Sequence, residues 1–166
     1  DPWTFAGERV EISRPTYAWE RNWRNPPEWN KTPGRPVFVN EGPEFLRHGD
    51  TLFIAYSASG CWTPTYCLGL LSAPADADIL SPASWSKSPE PVFKQDPAAG
   101  VFGTGHHCFL KSPDGDHDWF LYHASDKPNE CGGQTRSARL QPLSWSPQGL
   151  PLFGTPTPTS TPIPKP

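Results

Sequence analysis

The chain has 166 residues, enough for one domain with a core, and carries 8 Trp, 9 Phe and 4 Tyr against a formal charge of −3. That balance offers aromatic surface and no cationic face, which argues against a nucleic-acid partner. No apolar run approaches the roughly 20 residues of a membrane-crossing helix, and Asp1-Pro2-Trp3 has no signal-peptide character.

From the N-terminus, the stretch from Trp3 to Ile12 reads as the end of a β-unit whose beginning is absent. The Pro-, Trp- and Asn-rich stretch from Arg14 to Arg35 reads as an insertion between units. Val37-Phe38-Val39-Asn40-Glu41 is then an apolar strand that delivers one carboxylate onto a Gly42-Pro43 turn. A lone glutamate at a strand end is most often a solvated turn residue, so Glu41 gains weight only from its surroundings. Phe45-Leu46 and Leu52 to Ser59 predict a hairpin through His48-Gly49-Asp50, and Tyr66 to Leu71 predicts a further strand. A second hairpin is expected through Ser112-Pro113-Asp114-Gly115-Asp116.

Cys61, Cys67, Cys108 and Cys131 fit no metal-binding spacing and read as buried thiols or as up to two disulfides, the latter implying an oxidising compartment. Residues 155–166, rich in Pro, Thr and Ser, cannot build a core and read as an extended linker or tail after a domain spanning 1–154.

The chain repeats. Phe45-Leu46-Arg47 with Leu52 to Ser59 returns as Phe109-Leu110-Lys111 with Trp119 to Ser125, the two phenylalanines lying 64 residues apart. Ser84-Trp85-Ser86 with Pro91-Val92-Phe93 returns as Ser144-Trp145-Ser146 with Pro151-Leu152-Phe153, the tryptophans lying 60 residues apart. Repeated antiparallel units with no long helical pattern predict an all-β fold of propeller blades, about two to three of them, with a β-sandwich as the alternative. A closed propeller normally needs four or more blades, so the chain is expected to hold part of one.

In that frame Glu41 and His106 each stand just ahead of a repeated Phe-Leu hairpin, on strands that would line the propeller axis. With Arg136 they would set an acid, an imidazole and a cation around one cavity, which suits a sugar.

These residues carry a resemblance to glycoside hydrolase family 43 across about residues 1–155. It rests on Asp1-Pro2-Trp3, Ile12 to Tyr17 with Trp19-Glu20, Val39-Asn40-Glu41-Gly42-Pro43, and Tyr56 to Gly60 with Trp62. Gly105-His106 before Phe109, and Arg136 with Leu140-Gln141-Pro142 and Trp145, complete it. The resemblance implies a five-bladed β-propeller that removes arabinofuranosyl or xylosyl units with inversion. By this likeness Glu41 is the general acid, and His106 is the axial histidine that holds water or a calcium ion. Arg136, Trp62 and His107 are candidates for contact with substrate. Each has an ordinary alternative: His106 as a core histidine, Arg136 in a surface salt bridge, Trp62 as packing.

An inverting hydrolase also needs a second carboxylate about 6.5–9.5 Å from the acid. In the family both that base and a further aspartate lie in earlier blades, and Asp1, Glu8, Glu11, Glu20 and Glu28 match other parts of the pattern. The chain is therefore expected to be the acid-bearing C-terminal half of a secreted enzyme, inactive without the N-terminal half. The preferred activity is that of an exo-acting α-L-arabinofuranosidase on plant cell-wall arabinan or arabinoxylan. A β-xylosidase, a non-catalytic carbohydrate-binding module and an inert fragment are the alternatives.

Overall fold

The structure, a computed structural model, describes residues 3–5, 7–22 and 38–165. Asp1-Pro2, most of the expected insertion and Glu28 lie outside the described residues.

Two four-stranded antiparallel sheets follow one another along the chain, and each is a propeller blade. The first contains β1 (Asn40–His48), β2 (Thr51–Ala58), β3 (Cys67–Pro74) and β4 (Ser86–Lys87), in that spatial order. The second contains β5 (Phe102–Lys111), β6 (Asp118–Ser125), β7 (Ser137–Trp145) and β8 (Pro151–Leu152). Both expected hairpins form: His48 pairs with Thr51 around Gly49-Asp50, and Lys111 with Asp118 around residues 112–117.

β2 and β3 are buried on both faces, which their runs of apolar residues already require. Between the blades lies an aromatic core in which Phe93 stands edge-on to Phe120 and Tyr122, with centroids 5.1 and 4.8 Å away. At the far end His48, beside the turn of the first hairpin, stacks on Trp145 at 3.8 Å. Trp145 in turn donates its indole N–H to Asp118.

The two repeat markers fare differently. Phe93 and Phe153 are both buried in the inter-blade core. Trp85, however, precedes β4 beyond a connection containing the 3-10 turn Pro82–Ser84, whereas Trp145 ends β7 itself. The tryptophans share a spacing without sharing a place, because the first blade spends more residues between its third and fourth strands.

The stretch from Trp3 to Ile12 forms no strand among the described residues. A strand end needs a neighbour to pair its backbone groups, and Trp3 and Phe5 are exposed. Residues 11–22 instead lie over the first blade, where Ile12 and Trp19 pack against Tyr56, Ala58, Cys67 and Leu71. Glu20 pins this segment. Its side chain is wholly buried, its Oε2 accepting from the backbone N–H groups of Thr16 and Tyr17 and its Oε1 from Lys87, Tyr56 and Asn40.

All four cysteines are free thiols. Past β8, buried Gln141 holds the start of the Pro/Thr-rich segment: its amide N–H groups donate to the carbonyls of Phe153 and Thr155, and its carbonyl accepts from the Thr157 N–H.

Candidate active site

Both candidate site strands, β1 and β5, are interrupted at the point where they carry their functional residue. In β1 the register slips between Glu41 and Glu44, and the slip is made by Gly42 at φ +52°, a left-handed conformation that glycine adopts without strain. In β5 the register slips between Gly105 and Cys108, and His106 itself sits at φ +51°. Such bulges re-aim a side chain out of the ladder's alternation. The near-equivalence of Glu41 and His106 in the repeat thus becomes a pair of matching bulges, offset by one residue: Glu41 faces Ser57 across its hairpin, while Gly105 faces His123.

Tyr66, just before β3, joins the two bulges. Its phenol donates to Glu41 Oε1 at 2.7 Å and lies 3.4 Å from His106 Nδ1. Its ring fits over Gly105, where a Cβ would fall 2.3 Å from the ring and no side chain is admissible. His123 stacks against the Tyr66 ring at 5.4 Å, almost parallel to it. Arg136 then reaches His123, its Nη1 3.1 Å from the imidazole Nε2.

Cys61 feels both Glu41 and Arg136: burial raises its thiol pKa, the Glu41 charge adds to that, and Arg136 opposes it. Glu41, His106 and Arg136 are therefore brought to one place, linked through Tyr66, His123 and Cys61. Among the described residues Arg136 pairs with no carboxylate, so the surface salt bridge weighed for it is not formed.

Trp62 borders a neighbouring cleft of about 740 Å³, together with Thr63, Thr65, Asn129, Glu130 and Thr135. Glu41 instead lines a smaller, apolar concavity of about 240 Å³ with Ile12, Pro43, Ile54 and Tyr56.

His107 takes the opposite course from His106. It is 3% exposed, stands edge-on to Phe109 at 5.0 Å, and among the described residues has no hydrogen-bond partner on either ring nitrogen. Burial, helped by the neighbouring His106, pushes its pKa down to about 4. The folded protein thus keeps His107 neutral where the unfolded chain, titrating near 6.5, already takes up a proton. Stability is complete above about pH 6.5 and is lost as the pH falls toward 4, by on the order of 3 kcal/mol from this residue. His107→Leu is expected to flatten that slope, as read from urea unfolding midpoints at pH 7 and pH 4.5. An unchanged slope would mean that His107 carries no such proton linkage.

Calcium takes six to eight oxygen ligands. Among the described residues no three His, Cys, Asp or Glu side chains are grouped to hold a metal, and His106 offers one imidazole. The described side chains do not make a calcium cage.

Among the described residues no second carboxylate suited to activate water stands beside Glu41. Glu20 is the nearest along the bonded network, reached through Asn40, but both its oxygens are occupied. Burial raises its pKa, yet Lys87, the Tyr17 and Thr16 N–H groups and the Tyr56 phenol outweigh this and hold it below the usual value. Glu8 and Glu11 lie on the surface, Glu11 paired with Arg14.

Residues 17–151 match the sequence profile described as glycosyl hydrolases family 43. The chain is 42% identical over 160 residues to a protein of Streptomyces avermitilis named extracellular exo-α-(1→5)-L-arabinofuranosidase, covering 94% of this chain and 30% of that one. It is 38% identical over 168 residues to α-L-arabinofuranosidase 43 of Humicola insolens, covering 98% of this chain and 32% of that one. Among solved structures, an α-L-arabinofuranosidase from Lactobacillus brevis superposes with a TM-score of 0.83 at 34% identity, over 97% of this chain and 46% of that one. The chain thus spans about a third of the length of these curated relatives. The match across most of the chain and the two-blade fold agree: the chain belongs to glycosyl hydrolases family 43.

Proposed function

We infer that this chain carries the general acid of a secreted, exo-acting α-L-arabinofuranosidase that releases terminal arabinofuranosyl units from arabinan or arabinoxylan oligosaccharides with inversion. One observation carries the reading: a single carboxylate, Glu41, is held by one oxygen on a buried phenol beside His106, in a cluster that also contains Arg136. A carboxylic acid held that way can protonate a departing glycosidic oxygen. Arg136 supplies donors for sugar hydroxyls, and Trp62 offers an apolar ring for a sugar face to stack on. The names of the relatives at 38–42% identity favour arabinofuranoside over xyloside, and the word extracellular in one of them favours secretion.

The general base and the aspartate that tunes the acid would come from other blades, so this chain alone is expected to be inactive. The apolar concavity beside Glu41 and the exposed Phe45 and Pro43 of β1 give those blades a surface to cover, and β1 is an edge strand among the described residues.

The test is proton NMR of the sugar first released from α-1,5-arabinotriose by the complete propeller. Inversion predicts that β-arabinofuranose appears before mutarotation. Release of the α-anomer first would overturn the inverting mechanism, and release of oligosaccharides ahead of arabinose from linear arabinan would overturn the exo mode.

A further inference from the structure

Two tyrosines of this chain donate a phenol hydrogen bond to a carboxylate, and the contrast between them is informative. Tyr56 donates to Glu20 at 3.0 Å, where every carboxylate oxygen is also bonded to backbone or Lys87. That is a closed, structural network. Tyr66 donates to Glu41 Oε1 at 2.7 Å and leaves Oε2 with no hydrogen-bond partner among the described residues. One oxygen is fixed and the other is free to act.

The hydroxyl of Tyr66 has a polar neighbour in Ser57. Ser57, wholly buried, stands close by, and its Oγ accepts the backbone N–H of His106 at 2.8 Å. The His106 amide thus holds Ser57 next to the phenol that donates to Glu41. Burial, with the Glu41 hydrogen bond adding to it, raises the Tyr66 pKa, which keeps the phenol a donor.

We propose that Tyr66, backed by Ser57, is the positioning residue for the acid: it fixes Glu41 Oε1 so that Oε2 carries the transferable proton. This rests on Glu41 acting as the general acid. In the transfer, the Oε2–H bond breaks as the anomeric C–O bond breaks. The proton goes to the departing oxygen, which keeps the bonding electron pair, and Glu41 is left as a carboxylate. The Tyr66 O–H bond to Oε1 strengthens as that negative charge develops, which favours the transition state over the ground state. The other titratable or charged groups facing this cluster are His106 from β5, His123 from β6, Cys61 beyond β2 and Arg136 ahead of β7.

The test is Tyr66→Phe in the complete propeller. The ring stays, so its stacking on His123 and its fit over Gly105 are kept. For α-1,5-arabinobiose, a poor leaving group, kcat should fall roughly 10- to 100-fold with KM changed less than about twofold. For 4-nitrophenyl α-L-arabinofuranoside, which needs little protonation, the loss should stay below about threefold. The alkaline limb of the pH–rate profile should move to higher pH, because a donor to the ionised acid has been removed. Ser57→Ala should move the same readouts in the same direction by a smaller amount, and it carries the test if Tyr66→Phe does not fold.

Equal losses on both substrates with an unmoved alkaline limb would show that Tyr66 only packs, and would overturn the proposal. Full activity of Glu41→Gln on arabinobiose would instead remove the acid reading itself, and this inference with it.

Discussion

Glu41→Gln is expected to lower turnover of arabino-oligosaccharides by about 10²- to 10⁴-fold, the range that positioned general acids supply. Glutamine has nearly the shape of the acid, and its carbonyl can still accept the Tyr66 phenol where Glu41 Oε1 does now. The side chain should therefore stay in place beside His106 while losing only the proton it would donate. The loss should depend on the leaving group. A sugar alkoxide leaves poorly without protonation, whereas 4-nitrophenolate leaves unaided, so the aryl substrate should lose no more than about tenfold. The comparison is kcat/KM for arabinobiose and for the 4-nitrophenyl glycoside, wild type against variant, in the complete propeller. A variant that hydrolyses arabinobiose as well as wild type would remove Glu41 from the chemistry and leave a carbohydrate-binding role as the better account.

Much of this site is legible in the sequence because propeller blades repeat. Aligning Tyr56-Ser57-Ala58-Ser59 with Tyr122-His123-Ala124-Ser125 sets two hairpins in one frame. Glu41 and His106 then fall at nearly the same place in successive blades, and the structure turns that into two bulges facing one phenol. The same alignment held a signal for His123, which stands where the first blade has Ser57, a polar residue inside an otherwise apolar strand.

Tyr66 gave no such signal. It opens the apolar run Tyr66-Cys67-Leu68, where a tyrosine reads as core, and its partner Glu41 lies 25 residues away. Nothing local distinguishes it from Tyr122, whose hydroxyl donates to Gln141 inside the structure. His107 misleads in the other direction: adjacency to His106 suggests a shared role, but the bulge sends His106 to the surface and leaves His107 buried. The two tryptophan markers likewise share a spacing that the connections between third and fourth strands do not honour.

Glu20 is the other residue whose role only the fold reveals, and it carries the second large effect. Lys87→Met is expected to destabilise the chain by about 3–5 kcal/mol near pH 7, the cost of leaving one member of a buried ion pair without its partner. The pair is close, at 2.7 Å, with the Glu20 side chain wholly enclosed and Lys87 nearly so. Such a loss is a large fraction of a small domain's total stability.

The pH dependence distinguishes this from simple loss of packing. In the wild type the Glu20 pKa lies below its usual 4.5, so its contribution is present above that pH and disappears as the pH falls through the lowered value. Without Lys87 the largest remaining influence is burial, which opposes ionisation. The variant should then shed part of its deficit on acidification, because protonating Glu20 removes the unpaired charge. Urea unfolding of both proteins at pH 7 and pH 5 should show the gap narrowing, and a constant gap would mean that the loss does not come from an unpaired Glu20 charge. The effect should reach the site as well. Glu20 Oε1 also accepts from Asn40, the residue before Glu41, so the ion pair that ties down residues 11–22 also steadies the start of the strand that carries the acid.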